Sequence, residues 1–160
     1  MIFLENNLDP FEEQLVKAEK ENLSVHEKPF KTFDGLIVDN DIYLRSGMLV
    51  IQKSCVLSEE RGHYHTGTGD ILDQTNPNNS KLEMKGRKWA YDDRVGLFGL
   101  LRAYKDGRKT LYEMAQFLNV TEEFLKEALE AYRLKYGTGV RFDEYLIMFE
   151  PYLQIHEMYK

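Results

Sequence analysis

Residues 58–67 read Ser58-Glu59-Glu60-Arg61-Gly62-His63-Tyr64-His65-Thr66-Gly67. A helical zinc site usually writes HExxH, two histidines one turn apart with a glutamate after the first. This stretch writes EExxH. Its reading depends on whether it is helical, and the residues before it say that it is. Met48, Ile51, Cys55, Ser58 and Gly62 recur at three- and four-residue steps, which predicts a helix over 47–66 with a buried stripe that narrows toward its end. Gly67 and Gly69 then stop it.

On that helix Glu59 and His63 lie four residues apart and share a face. Two such groups grip a tetrahedral cation if a third ligand arrives from elsewhere, and a carboxylate is an acceptable zinc ligand. Glu60, one residue on, sits beside the metal, where a general base must be to take a proton from an activated water. Glu83, twenty residues after His63 on a second helix, is the candidate third ligand. Each reading has a plainer rival. Ser80-Lys81-Leu82-Glu83 is itself a capping box, so Glu83 can be a cap. Glu59 and Glu60 can be a solvated acidic face, and His63 with His65 a surface pair.

The rest of the chain frames the motif. Its 160 residues, 42% hydrophobic and 30% charged, suffice for one compact domain or a domain with a small appendage. There is no apolar run of about 18 residues to span a membrane. The start, MIFLENNLDPFEEQ, carries acids where a targeting peptide carries basic residues, and the lone Cys55 has no disulfide partner; a cytoplasmic location is expected. Cys55 lies in an apolar stretch and reads as packing rather than as a nucleophile. A net charge of −6, from 27 acidic and 21 basic residues, disfavours a general nucleic-acid binder.

Asp9-Pro10-Phe11-Glu12 opens an amphipathic helix over 10–22, with Phe11, Leu15 and Ala18 on one face. Residues 23–45 read as a small antiparallel sheet, with a hairpin turn at Asp39-Asn40-Asp41. DQTNPNNS is a loop, Ser80 opens a helix over roughly 81–104, and Thr110-Leu111-Tyr112-Glu113 is another capping box. Beyond it, MAQFLNVTEEFLKEAL has helix-turn-helix spacing, though a helical hairpin reads equally from the apolar positions. The second helix sets Glu122, Glu123, Glu127 and Glu130 against Lys126 and Arg133, the wrong sign to face phosphates, so direct DNA binding is disfavoured. Residues 138–160 are compatible with either a short strand or a helix.

With these residues in view, the chain resembles the ImmA/IrrE family of metallopeptidases. In that family HExxH is followed by ExxANxFA on a second helix. Here Glu83, Trp89 and Ala90 fit the second motif, whereas Gly86 and Arg87 depart from it. CVLSEERGHYHTGTGDILDQ is similar to a phage-associated branch reading close to AEELGHYHT. The resemblance runs from about residue 34 to about 136.

It implies an α+β fold: a zincin-like core over 1–106 and a helix-turn-helix-like appendage over 107–160. It implies a metal-dependent, site-specific endopeptidase that cleaves a repressor, itself of helix-turn-helix type, from a prophage or mobile element. Carried over by position, Glu60 is the base, His63 and Glu83 are metal ligands, and Glu59 stands where the first histidine belongs. Such a set carries more negative charge than two histidines and a glutamate, which weakens water activation and admits Mn2+ beside Zn2+. His65 and Tyr64 are candidates to stabilise an oxyanion or touch substrate, although His65 points to another face of an intact helix. The alternative is a non-catalytic pseudo-peptidase that sequesters a transcriptional regulator, and Glu59 at the ligand position favours it.

Overall fold

The computed structural model describes residues 7–69 and 77–158. Along them run α1 Pro10–Lys20, β1 Ser24–Lys28, β2 Gly35–Val38, β3 Asp41–Arg45, α2 Val50–Thr66, α3 Pro77–Arg94, α4 Gly96–Lys105, α5 Leu111–Leu118, α6 Glu122–Tyr136, β4 Gly139–Phe142, β5 Tyr145–Met148 and β6 Gln154–Glu157. The α+β class is the expected one. The chain divides into two compact units, Met1–Ala90 and Tyr91–Lys160. The division falls inside α3, whereas the sequence places it after residue 106.

In the first unit, α1 starts at the expected capping box. The Glu12 amide donates to Asp9 Oδ1 at 2.8 Å, and the Asp9 amide donates to Glu12 Oε2 at 2.9 Å. The β2–β3 hairpin also forms as read, turning at Asp39 with a φ of 55°. The sheet is not wholly antiparallel, however. Its order is β1-β3-β2, and β1 runs parallel to β3 from Ser24↔Asp41 to Lys28↔Arg45. The reason lies in burial. β3 alternates inward with Ile42 and Leu44, both fully buried, and so takes the centre. β1 exposes most of its side chains and accepts an edge. Local patterning reads a hairpin, but a parallel partner separated by a second strand leaves no local mark.

Helix α2 lies against this sheet. Val56 and Leu57 join Ala18, Leu23, Ile37, Ile42, Leu44 and Met48 in one apolar cluster, with Phe11, Leu15 and Val25 packed on it. Nine residues of α2 between Ser54 and His63 are buried, so this is a core helix and not a surface one with one wet face. Arg61 is among them. It is held by Glu21 through two bonds of 2.6 and 2.9 Å and by Gln14 Oε1 at 2.8 Å, which ties α2 to the end of α1.

The expected loop at 73–80 is corrected where it is described. Helix α3 already begins at Pro77, a residue suited to a first helical turn, and Ser80 lies inside it. The rest of that loop lies outside the described residues. The single helix expected over 81–104 is two, broken at Val95-Gly96, where Gly96 has a φ of 63°.

In the second unit that break is clamped by Tyr132, whose hydroxyl accepts from the Gly96 amide at 3.0 Å and donates to Asp92 Oδ1 at 2.9 Å. Helix α5 starts at the expected Thr110–Glu113 capping box and ends at Asn119, with a φ of 55°. Thr121 then caps α6 by accepting from the Phe124 amide at 3.0 Å. The open choice for 138–160 resolves, over the described residues 139–157, as an antiparallel sheet, β4-β5-β6, in which Val140, Ile147 and Ile155 form one cross-strand row.

Candidate metal and catalytic cleft

The first unit contains a cleft of about 450 Å³, and its walls bring the motif together. Glu59, Glu60 and His63 come from α2, Glu83 and Arg87 from α3, and Gly35, Leu36 and Ile37 from β2. Among the described residues β2 pairs on one side alone, with β3, so its other edge is unpaired beside the acidic residues.

His63 is the pivot. It is buried, at 5% exposure, and both ring nitrogens are engaged. Nδ1 lies 3.0 Å from Thr68 Oγ1, and Nε2 lies 3.0 Å from Glu83 Oε2. Burial alone would lower the imidazole pKa, but Glu83, Glu60 and Glu59 together outweigh it and hold it above its ordinary value. Glu83 answers in the opposite sense. Its burial favours the neutral acid, yet the His63 contact and Arg87 hold its carboxyl below the usual range. The two are therefore a charged pair. Since Ser80 lies inside α3, it cannot be the N-cap of that helix, and Glu83 faces His63 instead of closing a capping box.

Glu60 is the most perturbed group of the site. It is 8% exposed, and burial pushes its pKa from 4.5 up to about 8. His63 and Arg87 oppose that rise, while Glu59 and Glu83 add to it. Near neutral pH it is a carboxylic acid, three residues from an imidazolium, in a cleft with more carboxylates than cations.

Two close approaches build this geometry. A Cβ on Gly62 would overlap the Gly86 carbonyl oxygen, and a Cβ on Gly86 would overlap the His63 ring. Helices α2 and α3 thus cross backbone to backbone at the motif, and bare backbone at Gly86 is what lets the imidazole lie on α3. On the other wall, a Cβ on Gly35 would stand 2.6 Å from Val56 Cγ1 and 2.8 Å from Glu60 Oε1. Bare backbone at Gly35 is what brings the β2 edge down to Glu60.

Does this donor set fit a cation? In kind it does. His63 Nε2 and Glu83 Oε2 stand 3.0 Å apart in direct contact, a few tenths of an ångström short of the roughly 3.4 Å between neighbouring ligands of a tetrahedral ion with bonds of about 2.0–2.2 Å. Nδ1 is held by a hydroxyl, the outer bond that a ligating histidine needs. The excess of carboxylates also calls for positive charge. Glu59 is half-buried on the same wall, but among the described residues no three His, Cys, Asp or Glu side chains converge as a ready ligand set. His63 and Glu83 already stand together, and a third donor would require Glu59 to turn in.

His65 and Tyr64 do not line the cleft. The helix stays intact to Thr66, so residue 65 is carried round to another face. His65 Nε2 lies 2.8 Å from Glu21 Oε1, and the ring stacks on Trp89 with centroids 4.5 Å apart. Tyr64 is 38% exposed and touches the edge of His65. Both thus belong to the surroundings of the α1–α2–α3 junction. Sequence reasoning missed Thr68 and Gly35, which carry no motif. Arg87, 3.2 Å from Glu83, was open to reading as an i,i+4 partner on α3. No family model matches the chain, and no curated protein or solved structure shows detectable similarity to it.

Proposed function

We propose that this chain is a metal-dependent endopeptidase of zincin-like design, acting on a protein regulator, with a helix-turn-helix-like appendage formed by α5 and α6. One observation carries the reading: Glu59, Glu60, His63 and Glu83 line one cleft beside an unpaired strand edge. His63 and Glu83 would hold the ion, with Glu59 as the third ligand. A cation there supplies Lewis-acid polarisation of the scissile carbonyl. The oxygen-rich set favours Mn2+ or Zn2+.

The chain's own residues account for the remaining roles. The β2 edge offers backbone N–H and C=O groups to an extended peptide, which is how a sheet edge recognises a strand without reading its sequence. Glu60, at the end of that edge near Gly35, is the group positioned to take a proton from the attacking water and pass it to the leaving amine. Its burial keeps it protonated until positive charge enters the site. His63 is kept in one orientation by Thr68.

A second reading has an observation of its own. The His63–Glu83 pair, with Arg87 on the second Glu83 oxygen, already compensates the Glu83 carboxylate from within the protein. That favours a non-catalytic module that binds a regulator and leaves it intact. Metal uptake separates the two. Tag-free protein is dialysed against Zn2+ or Mn2+, with His63→Ala and Glu83→Ala alongside, and then offered a defined mixture of synthetic peptides. Near-stoichiometric metal, lost in both variants, with peptide cleavage that stops in Glu60→Gln, supports the peptidase. No uptake and no cleavage refutes it and leaves the binding module.

A further inference from the structure

The second unit holds a larger cavity, of about 660 Å³, unrelated to the acidic cleft. Its floor is apolar: Met114 and Phe149 are buried, and Leu129 and Ile155 are half-buried. Its rim is cationic. Arg108, Lys109, Lys126 and Arg133 line it against one acid, Glu130. Arg133 grips Glu130 at 2.6 and 2.8 Å and also reaches Glu150 at 3.1 Å, and Arg108 pairs with Asp106 at 2.9 Å, so the charge left for a ligand is that of the two lysines. Lys109 and Lys126 are exposed and have no carboxylate partner among the described residues. The charge of this lining therefore runs opposite to the chain's net −6.

The groove follows from the spacing on α6. Residues 126, 129, 130 and 133 recur at three- and four-residue steps and present one face. That face meets Met114 of α5, the segment 149–153 between β5 and β6, including the exposed Tyr152, and Ile155 of β6.

We propose that this groove docks a segment of a partner protein in which acidic residues flank large apolar side chains. The apolar floor removes such side chains from water, and Lys109 and Lys126 meet the flanking carboxylates. A nucleic acid fits less well. It offers no aliphatic group for the floor, and α6 also carries Glu122, Glu123 and Glu127. The inference does not depend on the chemistry of the acidic cleft, so it stands or falls separately.

The test is a titration of the full chain, isotope-labelled for NMR, with three probes. They are a short amidated peptide of glutamate, leucine and phenylalanine, the same peptide with lysine in place of glutamate, and a short single-stranded oligonucleotide. The acidic peptide should shift signals of Met114, Leu129 and Ile155 and weaken as salt rises. Lys109→Glu with Lys126→Glu, two exposed positions, should bind about tenfold more weakly with an unchanged melting temperature. Shifts outside the groove, equal binding of the lysine peptide, a preference for the oligonucleotide, or full binding by the double variant would each overturn the proposal.

Discussion

Replacing Glu60 with glutamine tests the electrostatics of the cleft most directly. Glutamine keeps the shape of a protonated glutamate and never ionises. In the metal-free folded chain Glu60 holds its proton up to about pH 8, whereas in the unfolded chain it releases it near 4.5. Between those values the folded state binds more protons than the unfolded state, so stability falls as pH rises. This is the reverse of the usual carboxylate, because burial outweighs the neighbouring His63 and Arg87. Between about pH 5 and about pH 7 the wild type should lose about 2–3 kcal/mol relative to Glu60→Gln. His63 and Glu83 titrate in both proteins, so their own ionisation cancels in large part and the difference reports Glu60 together with its coupling to His63. Urea unfolding of both at the two pH values, after chelation and dialysis, measures it. A wild-type-minus-variant difference that stays flat would mean that Glu60 ionises as an ordinary acid, and the buried-acid argument would fail.

Three further outcomes follow from particular contacts. Gly86→Ala puts a Cβ into the His63 ring and should cost about 1–3 kcal/mol by thermal or urea unfolding, with loss of any metal uptake; unchanged stability would mean that α2 and α3 are not in backbone contact. Arg61→Ala leaves Gln14 Oε1 without its partner and Glu21 with His65 alone, and should cost about 2–3 kcal/mol, although Arg61 belongs to the EExxH stretch and does not line the cleft; a loss under about 0.5 kcal/mol would contradict its burial. Tyr132→Phe leaves the Gly96 amide and Asp92 without their shared hydroxyl and should cost about 1–2 kcal/mol, read as faster amide exchange at Gly96.

Signals carried by neighbours in the chain were legible in the sequence. The capping boxes at Asp9 and Thr110, the Asp39 turn and helix α2 all arise from residues within four positions of one another, and all formed. The shared wall of Glu59, Glu60 and His63 belongs to this class, since one turn of helix dictates it. The three strands of residues 139–157 were not legible. Their runs are only four residues long, and each is stabilised mainly by the next.

By itself, the sequence determined the α+β class, the helix that carries the motif, and the acidic excess at that motif. Only the tertiary structure decided that Glu83 meets His63 across two glycines, and that β1 runs parallel to β3. It alone turned His65 to Glu21 and Trp89. The physical reason is common to all of these. They are contacts between elements far apart in the chain, chosen by which faces can exclude water together, and no local pattern records that choice. The raised pKa of Glu60 belongs with them. A carboxyl on a helix is an ordinary acid until a sheet and a second helix close over it.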